Sequence, residues 1–170
     1  MNQTAASQCT AIQNTLTPWM QQYGGIVMIA PDVVQMWRWA YNNTQTLRAI
    51  ICCTGEDIRG PFSIAAATHR VDRQFTLLVS RGRQFTVDTS VSLTQTYGNA
   101  QPLFQIVEEA RDLIRSMLDI SAELPVDYKG FHHVSLEGNM LDAYGIEFSV
   151  AADLPGLAST PQNPAPPIGT

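Results

Sequence analysis

Between Thr4 and Tyr23 the apolar residues Ile12, Leu16, Trp19, Met20 and Tyr23 recur at spacings of three and four, the period of an amphipathic helix. Pro18 breaks into this pattern, so the spacing predicts a helix to about Leu16. A short continuation then starts with Thr17 as a cap and stops at Gly24-Gly25. From Ile26 to Asn43 the chain is apolar, with two tryptophans and a proline, and fits neither the helical nor the strand period. Thr46 to Thr54 is apolar on both faces apart from Arg48, as in an interior strand of a sheet covered on both sides. "GEDIRGPFS" then reads as a loop punctuated by Gly55, Gly60 and Pro61.

In "THRVDRQFTLLVSRGRQFT", Thr68 to Thr86, every second residue is apolar: Val71, Phe75, Leu77 and Val79 share one face, and Arg70, Asp72, Gln74, Thr76 and Ser80 the other. This predicts a half-buried strand, with Arg73 on the apolar side and Gly82 letting the backbone turn at the exit. The clearest element is "PLFQIVEEARDLIRSML". Leu103, Ile106, Val107, Ala110, Leu113, Ile114, Met117 and Leu118 make one helical stripe, with acids early and Arg111 and Arg115 late. After Pro125 a strand pair is expected around Glu137-Gly138-Asn139, its second arm alternating Met140, Tyr144, Ile146, Phe148 and Val150 with smaller or polar residues. Pro155 onward is proline-rich and uncharged, an extended arm.

These elements predict one α+β domain over residues 1–154, with the Pro-rich arm at 155–170. A mixed or antiparallel β-sheet packs on the N-terminal helix and the one long amphipathic helix. A chain of 170 residues is long enough for such a core.

Composition changes the picture in one respect. Only 15% of the residues are charged, and the net charge is −5. A typical domain carries about 25% charged residues, and surfaces that meet other proteins are depleted in charge. The chain has one lysine and nine arginines, four of them between Thr68 and Thr86. Arginine without lysine suits ion pairs and protein interfaces, because its planar fork matches carboxylates. Pairing within the same subunit, with Asp72 or Asp88 for instance, is the competing reading for each arginine. A nucleic-acid stripe is disfavoured, since Arg70 and Arg73 fall on opposite faces of the strand and no aromatic residues interleave with them.

No nucleotide-binding loop, zinc-protease motif, serine elbow or paired CxxC is present. Cys9, Cys52 and Cys53 have no metal-ligand spacing and read as small buried residues of a reducing cytoplasm. His132 and His133 would point to opposite faces of a strand. Glu56-Asp57 and Glu108-Glu109 read as hydrated charge, and His69 with Asp72 and Ser63 is a weak imitation of a catalytic set. No catalytic residue, cofactor or metal is expected. The stretch Gly25 to Ala30 is too short for a membrane span, and MNQTAASQCT lacks the pattern of a secretory signal.

The element order, with "ATHRVDRQFTLLVSRGR" in the middle and "LDAYGIEFSVAADLP" near the end, resembles the tail terminator proteins of long-tailed bacteriophages. The likeness runs from about Ala5 to Leu154 and lies in layout, with no short diagnostic motif. It implies a structural virion protein at the neck, assembled in the host cytoplasm. Copies would form a ring, usually a hexamer, that caps the tail tube and meets the head-completion or connector protein. DNA would be passing cargo in the channel, and an acidic chain poor in lysine suits sliding over gripping. No membrane and no catalytic residue are implied. Another neck or tail-tube protein of the same architecture, or a protein-binding module, are the alternatives. On the ring reading, Arg70, Arg73, Arg81 and Arg83 are candidates for an interface with a neighbouring subunit, and Pro161 and Pro164 of the arm for another.

Overall fold

The first helix, α1, spans Ala5–Gln22 without a break at Pro18. A computed structural model describes residues 4–42, 47–59, 68–82, 102–117, 126–134 and 141–155. Thr4 caps α1 by accepting from the Ser7 amide at 3.1 Å, and the cap expected of Thr17 is instead a hydroxyl bond back to the Gln13 carbonyl at 2.7 Å. Proline inside a helix costs about 3 kcal/mol. Here Leu16, Trp19 and Met20, on both sides of it, are buried in one cluster, and that burial outweighs the cost. The helix stops where expected. Gly24 has φ +68°, its amide bonds the Gln21 carbonyl, and the Gly25 amide reaches back to Met20, a Schellman stop.

The stretch that fitted neither period holds one of each element. Strand β1 covers Ile26–Ala30, and helix α2 covers Val33–Tyr41 with Asp32 accepting from the Gln35 amide at 2.7 Å. Strand β2 then runs Arg48–Ile58, β3 Thr68–Gly82, helix α3 Leu103–Ser116, β4 Asp127–Val134 and β5 Leu141–Pro155. The expected loop at Gly55 is therefore strand as far as Ile58, resumed after a register shift between Cys53 and Gly55. The turn expected at Glu137–Asn139, Met140 and the arm beyond Pro155 lie outside the described residues, as does Leu118.

The five strands lie in the order β1-β2-β3-β5-β4, with β1–β2 parallel and the other pairs antiparallel, so the fold is α+β on a mixed sheet. Helices α1 and α3 cover one face, over Ala49, Ile51, Phe75, Leu77, Val79, Tyr144, Ile146, Phe148 and Val150. Helix α2 covers part of the other, against β1, β2 and β3, in a cluster with Ile50, Cys52 and Leu78 that continues to Leu141 and Ala143 of β5. Successive residues of β2 thus enter different clusters, which explains its unbroken apolar run. Strand β3 is half-buried only in its first part; from Leu77 to Ser80 both faces are covered. At the centre Phe75 and Phe148 are register partners whose rings stack at 5.6 Å. Arg48, the one charge in the core of β2, donates to the Trp39 carbonyl in the last turn of α2, where a helix end favours a cation.

Candidate functional site

Strands β3 and β5 pair over their whole length without a shift, from Thr68 opposite Pro155 to Gly82 opposite Leu141. With the outer half of β2 they make a ribbon that carries Arg70, Arg73 and Arg81, with Arg59 just beyond the end of β2.

Arg73 and Glu56 are register partners. The Arg73 Nε donates to Glu56 Oε2 at 2.7 Å, and its Nη1 donates to the Gln8 side-chain oxygen at 3.0 Å. Arg73 is only 4% exposed, because the first turns of α1 close over it. On the opposite face, Asp57 directly opposes Asp72, an arrangement that would repel. Gln74 relieves one by donating to Asp57 at 3.0 Å, and Arg59 pairs with the other. Arg70 opposes Asp153, its Nε 3.6 Å from the carboxylate. Arg81 opposes the fully buried Asp142. Burial pushes the Arg81 guanidinium below its ordinary value, and the Asp142 charge works against that.

Arginine is gathered in this stretch, then, opposite acids of the neighbouring strands of the same chain. That is the intrachain reading for Arg73 and Arg70, whose charge is balanced locally and split between two faces. Arg83, Pro161 and Pro164, the remaining interface candidates, lie outside the described residues.

The weak catalytic set does not come together. His69 and Asp72 are an odd number of residues apart on β3, so they face opposite ways, Asp72 is engaged by Arg59, and Ser63 lies outside the described residues. The two histidines of β4 also face opposite ways. The His133 ring lies 5.1 Å from that of Tyr144, while His132 covers Gly145, where an added Cβ would sit 3.1 Å from its ring. Cys52 and Cys53 separate in the same manner, into the α2 and α1 clusters. Among the described residues no group of three or more His, Cys, Asp or Glu could hold a metal ion. No described helix is long and apolar enough to cross a membrane.

One acid differs from its expected role. Glu108 is solvated, but Glu109 ties α3 to α1: it accepts from Trp19 Nε1 at 3.1 Å, from the Tyr23 hydroxyl and from Gln105 at 3.1 Å. Burial alone would raise the Glu109 carboxyl, yet these donors outweigh it and hold the group below the usual range. Its neighbour Tyr23 is pushed up to about 12 by burial and by the Glu109 contact. Nothing along the sequence joins residues this far apart.

Among the described residues, the exposed large apolar side chains are three residues of α2, with Ile26 at the start of β1, Ile58 at the end of β2 and Phe104 in the first turn of α3. On α2, Val34 is 68% exposed and Val33 and Tyr41 are each 40% exposed, with the half-buried Trp37 between them. Spacings of four along Val33, Trp37 and Tyr41 put them on one flank, and the Trp37 and Tyr41 rings lie 6.5 Å apart. At the other end of the sheet Ile58, 52% exposed, closes β2. The α2 flank was readable in principle from "VVQMWRWAY" once Asp32 is taken as a cap. Ile58 was hidden by the loop reading.

No protein-family model matches this chain, and a search of curated proteins finds no match to it.

Proposed function

We propose that this chain is a structural virion protein of the tail-terminator kind. In that role its copies close into a ring, a hexamer, that caps the tail tube and joins it to the head connector, with DNA passing through the channel. Its work on this reading is contact between proteins, without catalysis or a cofactor. The layout resemblance suggests the class. The observation that carries the reading is that exposed apolar residues stand at well-separated places, the α2 flank being the largest group and Ile58, at the far end of β2, one of the single residues. A ring needs two different patches that fit each other, so that each subunit offers one to the next. From Ile50, beneath α2, to Ile58 the strand runs about 26 Å. The charged ribbon between them, balanced within the chain, is then a rigid spacer, and Arg70 with its exposed Asp153 partner is left at the rim to help set register.

Sedimentation and negative-stain imaging of the purified chain, alone and with tail tubes, test this. Closed rings that seat on tube ends are the expected result. A species that stays monomeric at high concentration and leaves tubes bare overturns it.

A further inference from the structure

We draw no further inference here: the strongest candidate, the exposed apolar flank of α2 formed by Val33, Val34, Trp37 and Tyr41, carries none, because nothing in the structure shows what covers it.

Discussion

The Arg73 guanidinium meets the Glu56 carboxylate at 2.7 Å across the β2–β3 ladder, with the arginine almost wholly inside the protein and the acid half exposed. Desolvating an arginine is costly, and the bonds from its Nε to Glu56 and from its Nη1 to Gln8 offset that cost.

Removing the acid is therefore expected to hurt more than replacing the arginine by an apolar side chain of similar length. Glu56→Ala takes the carboxylate away from a buried cation, an expected loss of about 2 kcal/mol, while Arg73→Met should lose under about 1.5 kcal/mol. Urea denaturation of the two variants checks the order. Equal losses, or a worse Arg73→Met, would show that the pair stabilises the fold on balance.

Glu109 and Tyr23 give stability two pH limits. The Glu109 carboxyl is depressed in the folded state, so its contribution is present above the unfolded value, about 4.3, and is lost as pH falls through the lower folded value. Tyr23 is raised to about 12, so its contribution is present below the ordinary tyrosine value of about 10 and lost as pH rises from there to about 12. In Glu109→Gln both edges should flatten, with a loss near neutrality of about 1–2 kcal/mol from the Trp19 and Tyr23 donors. Melting temperature against pH for both proteins reads this directly. Superimposable profiles would remove the strap from the account.

At the end of α1, Gly25 has no room for a side chain: a Cβ would sit 2.8 Å from the Leu47 carbonyl oxygen and collide with the Met20 sulfur. Because one obstacle is backbone, Gly25→Ala should destabilise by more than about 2 kcal/mol, against about 1 kcal/mol for Gly24→Ala, where only the positive φ resists. Thermal melts of the pair decide it.

The three thiols should differ in reactivity. Burial pushes Cys9 up to about 11 and raises Cys52 and Cys53 as well, but Cys53 alone is partly exposed. At pH 8 the folded chain should be alkylated slowly and first at Cys53, with Cys9 and Cys52 reacting only on unfolding. Peptide mapping after a timed iodoacetamide treatment reads the sequence of modification.

Local pattern was enough to read α3, most of α1, the interior character of β2, and the alternation of β3 and β5. In each, many residues agree on one period, so a single exception such as Pro18 or Arg48 does not erase it. It also placed His132 and His133, and Cys52 and Cys53, on opposite faces, because neighbours on a strand have no other choice. What needed the tertiary structure was every choice among long-range partners. Two β-strands can be laid side by side in many ways, and only the register sets Arg73 against Glu56 and Arg70 against Asp153. Only the packing of α3 on α1 brings Glu109 to Trp19 and Tyr23. The sheet likewise decides that Ile58 ends a strand and that α2 turns Met36 and Ala40 inward, leaving Val34 and Tyr41 to the outside. Periodicity is a property of neighbours along the chain, whereas charge pairing and exposure depend on which surfaces meet, and those are settled by burial of the whole.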